Sequence, residues 1–160
     1  MKKLTLTSDF NIYNSVEELT DSAQNLINKA IEARKNAYAP YSKFTVGAAI
    51  LLEDDTIVIG SNQENAAYPS GLCAERVAIY QASALYPTKK IKQIAISAGS
   101  TTSLTTEPVP PCGACRQAMI EYETKQNSEI SILFMGETGE IIESKSINNL
   151  LPLIFNKKLL

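Results

Sequence analysis

The chain has no histidine among its 160 residues. The commonest metal ligand, and the one side chain that ordinarily titrates near neutral pH, is therefore absent, so metal or proton chemistry must rest on cysteines and carboxylates. Cysteine is scarce as well: three residues, an odd number, in a chain without an evident export signal argue against a disulfide framework and for metal or redox chemistry. A basic excess is also missing. Fifteen Lys and Arg stand against 17 Asp and Glu, for a formal charge of −2, which leaves no cationic surface for polynucleotides. No stretch approaches the ~18 uninterrupted apolar residues of a membrane span. The opening "MKKLTLTSDFNIYNS" begins with two lysines, but Thr5, Thr7, Ser8 and Asp9 break the apolar run a signal peptide needs. The expected protein is cytoplasmic, with neither nucleic acid nor membrane as partner and with small neutral ligands still open.

What is present describes one globular domain. Hydrophobic residues make up 44% and charged residues 20%, ordinary values for a soluble fold of this length. From Ser15 to Tyr38, Val16, Leu19, Ala23, Leu26, Ile27, Ala30 and Ile31 recur at helical spacing, Ser15 and Glu18 fit a capping box, and Pro40 closes the helix. "FTVGAAILL" and "TIVIGSN" read as a hairpin around Glu53-Asp54-Asp55. Helices are expected from Cys73 to about Leu85 and from Cys112 to about Glu123, and strands at 91–98, "EISILFM" and "EIIESKS", with "INNLLPLIF" packing back onto the body. The alternation predicts an α/β three-layer sandwich around a mixed sheet.

The cysteines occupy two Pro- and Gly-flanked segments, "PSGLCAERVA" and "VPPCGACRQA". Residues three apart on a helix share a face, so Cys112 and Cys115 can aim both sulfurs at one point. Helix N-termini stabilise thiolates through unpaired N–H groups and the dipole, and Cys73 has the same setting at the start of its own helix. Two such N-termini facing each other would gather three thiolates. Zinc with three protein ligands and an open fourth position is a catalytic arrangement, although a carboxylate could close the site. A redox C-x-x-C pair and three unrelated buried cysteines are the plainer alternatives. Glu75, two residues after Cys73, weighs against both: it is placed to exchange a proton with a metal-bound water, where a surface helix glutamate would otherwise be the ordinary reading.

"CAER" at 73–76, "PCGACRQ" at 111–117 and "SNQENAAYP" at 61–69 together resemble the short, homotetrameric, zinc-dependent cytidine deaminases, over residues 24 to 155. The resemblance implies a cytidine deaminase-like domain over 15–160 around a five-stranded sheet, with residues 1–14 as an N-terminal extension. It implies one zinc per subunit on Cys73, Cys112 and Cys115, and attack of metal-activated water on C4 of cytosine. Glu75 would carry the proton from that water to N3 and help ammonia leave, as zinc deaminases in general do. Arg76 would offset the thiolate charge, against the alternative of a solvated arginine. Asn62 and Glu64 would read the ribose 3′-OH, and backbone at Ala74 and Pro111 the base edge. Phe44 would stack near the pyrimidine, and Tyr68 would lie near substrate and subunit boundary, each with a core aromatic as its alternative. Phe155 would reach a neighbouring subunit's site, making the homotetramer part of catalysis.

Two departures accompany the likeness: Gln63 stands at a usually apolar position, and 87–110 is longer than usual. The implied activity is hydrolytic deamination of cytidine and 2′-deoxycytidine in pyrimidine salvage. Its rivals are a deaminase of a modified cytosine nucleoside such as an antibiotic, and a zinc protein without turnover. A polynucleotide-editing deaminase lacks a cationic track here, and a deoxycytidylate deaminase would more often use a histidine ligand.

Overall fold

The computed structural model describes residues 1–160, the side chain at 158 excepted. Its elements in chain order are β1 (Asn11–Tyr13), α1 (Asp21–Arg34), β2 (Phe44–Leu52), β3 (Ile57–Ser61), α2 (Ala74–Leu85), β4 (Ile91–Ser100), α3 (Gly113–Gln126), β5 (Ser131–Met135) and β6 (Ile141–Ser144), with 3-10 turns that include Val16–Glu18, Tyr68–Ser70 and Ile147–Leu150. The strands form one sheet in the order β1-β6-β5-β4-β2-β3, in which the β4–β5 pair is parallel and the other neighbours are antiparallel. That makes six strands where five were expected. The sixth, β1, has three residues of which only Tyr13 is half-buried, too short and too exposed to leave an alternating pattern.

The central strands are apolar on both faces because both faces are covered. On β2, β4 and β5 the residues Ile50, Leu52, Ile94, Ile96, Ile132 and Phe134 join Ala78, Ile79 and Met119 of α2 and α3. Their alternates Ala49, Leu51, Ala95, Leu133 and Met135 meet Leu26, Ile27 and Ala30 of α1 on the opposite face. Two cores separated by a period-two alternation define the α/β/α sandwich.

The first helix starts later than its periodicity suggested. Val16–Glu18 is an isolated 3-10 turn, Leu19 is extended, and Thr20 is the N-cap, its hydroxyl accepting from the Ala23 amide at 3.4 Å. Glu18 instead accepts from the Asn14 amide at 3.0 Å and the Asn14 side chain at 2.9 Å. The three-and-four spacing thus runs across a break in the helix, because the turn and the helix present apolar residues to the same core.

Topology places the cysteines. Strands β3 and β4 both pair antiparallel with β2 and so run the same way, and β4 and β5 are parallel neighbours. Parallel strands need crossovers, supplied by α2 and α3 on one face, so both helices begin at the same end of the sheet, beyond the strand carboxyl ends where α/β ligands bind. Gly60 lets α2 lie close: a Cβ there would meet the Ala74 carbonyl oxygen at 2.7 Å. No helix among the described residues is long and apolar enough to cross a membrane.

Candidate metal centre and adjoining pocket

Cys73 is the N-cap of α2 and Cys112 the N-cap of α3, both in extended conformation. Neither sulfur caps its helix. A Ser, Thr, Asp or Asn in such a position typically adds about 1 kcal/mol over a residue that cannot cap, so these positions forgo helix stability and leave the sulfurs free for another partner. Cys115, one turn into α3, is fully buried, Cys73 is half-buried and Cys112 is exposed.

The three sulfurs lie within 4.8 Å of one another, with Cys73–Cys112 at 4.0 Å and Cys112–Cys115 at 3.5 Å. Tetrahedral zinc with Zn–S bonds near 2.3 Å requires S···S separations of ~3.8 Å. The triangle therefore fits zinc in size and in donor chemistry. Hydrogen bonding from Cys115, and then from the Arg76 guanidinium, holds the Cys73 thiol down at about 5, while the Cys73 contact and burial push the Cys115 thiol up. Three crowded thiols cannot all ionise without a cation among them, which is why metal binding and proton release are coupled.

Arg76 Nη2 lies 3.6 Å from Cys73 Sγ, and its Nε is buried without a hydrogen-bond partner. Glu75, 5% exposed, is buried on the first turn of α2. Burial raises its carboxyl pKa, and the nearby Cys73 charge adds to the rise, while hydrogen bonding to its own backbone opposes it. Such a group is poised to accept and return a proton rather than to remain a solvated anion.

Beside the triangle opens a cavity of about 540 Å³, lined by Tyr41, Asn62, Glu64, Tyr68, Cys73 and Arg76 among others. That volume suits a nucleoside-sized ligand. The chain at 62–64 alternates: Asn62 O and the Glu64 amide bond the backbone of Tyr38, while the Gln63 backbone bonds Leu72 on the other side. Glu64 Oε2 accepts from the Tyr41 amide at 2.9 Å and the Ser42 amide at 3.2 Å, and hydrogen bonding at Ser42 lowers its carboxyl pKa. Asn62 Oδ1 accepts from the Val46 amide at 2.8 Å and Nδ2 donates to Phe44 O at 3.0 Å. A second amide hydrogen and a second lone pair of Asn62 remain for a ligand.

Of the residues singled out by sequence, Cys73, Cys112, Cys115, Glu75 and Arg76 come together, and Asn62, Glu64 and Tyr68 line the adjoining cavity. Ala74 is fully buried at the start of α2. Phe44 is half-buried at the start of β2, outside the cavity lining, its carbonyl tied to Asn62. Phe155 is also outside that lining, 58% exposed, with its carbonyl accepting from Gln117 Nε2 at 3.0 Å. Sequence reasoning missed Tyr41 and Ser42, whose amides clamp Glu64. The turn after Pro40 was the available signal, since a chain leaving a proline turn presents unpaired amides.

The chain matches the family model described as the cytidine and deoxycytidylate deaminase zinc-binding region over residues 20–128. It is 41% identical to the cytidine deaminase of Halalkalibacterium halodurans over 132 residues, covering 81% of this chain and 90% of that one. Identity to the cytidine deaminase of Sporosarcina psychrophila is also 41%, over 84% of this chain and 92% of that protein. The crystal structure of cytidine deaminase from Burkholderia pseudomallei superimposes with a TM-score of 0.73 at 36% identity, covering 86% of this chain and all of that one.

Proposed function

Because the chain belongs to the cytidine and deoxycytidylate deaminase zinc-binding family, we propose that it hydrolyses cytidine and 2′-deoxycytidine to uridine and 2′-deoxyuridine with release of ammonia. The observation that carries this reading is the triangle of thiols with buried Glu75 beside it, opening on a nucleoside-sized cavity. Cys73, Cys112 and Cys115 hold the zinc, which when bound polarises water so that it can serve as a nucleophile at neutral pH.

The remaining roles belong to the chain. A Glu75 carboxylate oxygen takes a proton from the incoming water, delivers it to N3 of the pyrimidine, and then helps protonate the departing amine; water and substrate enter, and the keto product and ammonia leave. Arg76 offsets the thiolate charge. Asn62 and Glu64 bond the ribose 3′-OH, and a base lacking the sugar would forgo those bonds and be bound more weakly. Tyr68 borders the sugar side of the cavity, while backbone at Ala74 and Pro111 reads the base edge and Phe44 stacks near the pyrimidine.

Residues 15–160 act as the catalytic domain and 1–14 as an extension that adds β1. The working form is a homotetramer in which Phe155 enters a neighbouring site, a reading supported by the exposure of Leu153, Phe155 and Tyr68 on the single chain. Cytoplasmic placement suits three free cysteines, which stay reduced there. The test is product analysis: purified protein incubated with cytidine should form uridine and ammonia in equal amounts. Intact cytidine alongside turnover of a base-modified analogue would shift the substrate assignment.

A further inference from the structure

An arginine one residue after a metal-binding cysteine, in the first turn of α3, has its charge at the unfavourable end of the helix dipole. Arg116 does not point away from that end. Its Nε donates to Pro111 O at 2.7 Å and its Nη1 to Leu150 O at 2.9 Å, so one planar guanidinium bridges the turn that carries Cys112 and the end of the 147–150 turn. Leu150 is buried in the same core as Cys115 and Met119, which makes it a rigid anchor. The bond to Pro111 is short and charge-assisted, the stronger kind.

Cys112 is the ligand that needs such help. Cys115 is fully buried and Cys73 packs against the core, whereas Cys112 is exposed at the helix cap. Packing does not fix where its sulfur points, and the orientation of the Pro111–Cys112 peptide does. Pro111 is itself buried and has no N–H to tie its own backbone, so its carbonyl is the handle available for holding that peptide.

We propose that Arg116 is a positioning residue for the metal centre: by bridging the Pro111 and Leu150 carbonyls it fixes the peptide plane that aims the exposed Cys112 thiolate, and so couples the C-terminal segment to zinc retention. This rests on the reading of the three cysteines as the zinc site. The adjacent Gln117, which holds the Phe155 carbonyl, extends the same clamp along the C-terminal segment. Lysine substitutes only in part, since a single ammonium lacks the flat fork that reaches two carbonyls at once.

The experiment follows zinc transfer from the fully loaded protein to an excess of chromogenic chelator, and the thiolate charge-transfer spectrum after cobalt replaces zinc. Arg116→Gln should release zinc about tenfold faster, the scale of losses when supporting contacts to a metal ligand are removed, and should alter the cobalt spectrum. Arg116→Lys should show the same change in smaller degree, and it decides the matter if the glutamine variant does not fold. A lowered Tm with wild-type release rate and wild-type spectrum would overturn the proposal, because a merely structural contact would act in that way. Absence of a thiolate–cobalt band in the unaltered protein would instead remove the underlying zinc assignment.

Discussion

At single residues, environment sets the chemistry: burial holds the Glu75 carboxyl pKa up, and the Cys73 thiol is held low. Glu75 is a carboxylate kept from water, and its removal should separate chemistry from metal binding. Glu75→Gln should retain one zinc per chain, measured by atomic absorption, and lower kcat by about 10²–10⁴-fold, the usual worth of a positioned acid–base group. A near-normal kcat would remove it from the proton path. Cys73 binds metal as the thiolate. A thiol held at about 5 enters metal binding already ionised at neutral pH, so protons compete with the metal there only in acid. Without the guanidinium of Arg76 that pKa rises, so Arg76→Gln should shed zinc at a higher pH than wild type as solution is acidified. An unchanged release midpoint in a chelator-monitored acid titration would contradict it.

That Cys73, Cys112 and Cys115 come together was legible because helical spacing and cap position are local properties: "CAER" and "PCGAC" state them within a few positions. The partners of Asn62 and Glu64 were not. Those side chains meet Phe44, Val46, Tyr41 and Ser42 only after the 38–46 segment folds against 61–64. Sequence showed that the two project to one side, and tertiary placement determined what stands there.

At the scale of elements, the same contrast appears in α1 and α3. Periodicity located α1 but carried its start back into a separate 3-10 turn, whereas for α3 the cap cysteine marked the start directly. A strand of three residues such as β1 is fixed by its pairing with β6 and has too few positions to declare itself. Glu123 on α3 is the main polar tie between helix and C-terminal segment: its carboxylate accepts from the Ile130 amide at 2.9 Å, the Ser146 hydroxyl at 2.7 Å and the Ile147 amide at 3.0 Å. Glu123→Ala should orphan both amides and cost about 2–6 kcal/mol, since each unsatisfied group costs roughly 1–3 kcal/mol. Thermal unfolding would show it as a clear fall in Tm, and an unchanged Tm would refute it. Farther along, Leu153 adopts a left-handed conformation at φ 58° while 79% exposed. Leu153→Gly relieves that backbone but removes an apolar side chain from the proposed subunit contact, so the oligomer should dissociate at a higher protein concentration than wild type. An oligomer as tight as wild type, read by sedimentation, would place Leu153 outside the subunit contact.

Across the whole molecule, the sandwich topology brings the N-termini of two crossover helices to one cysteine triangle, and the cavity beside it is lined in large part by the mostly exposed 62–72 segment. If neighbouring subunits complete that cavity, Phe155→Ala should raise KM severalfold while the tetramer, read by sedimentation, persists. An unchanged KM in an intact oligomer would place Phe155 outside the site. The central claim, zinc on three cysteines serving hydrolytic deamination, is tested most directly by following cytidine absorbance with purified protein before and after the metal is stripped by a thiol-competitive chelator, and again after zinc is restored. Turnover should disappear with the metal and return with one zinc per chain. Turnover that survives complete removal of the metal, or a zinc-loaded protein that leaves cytidine unchanged, would contradict it.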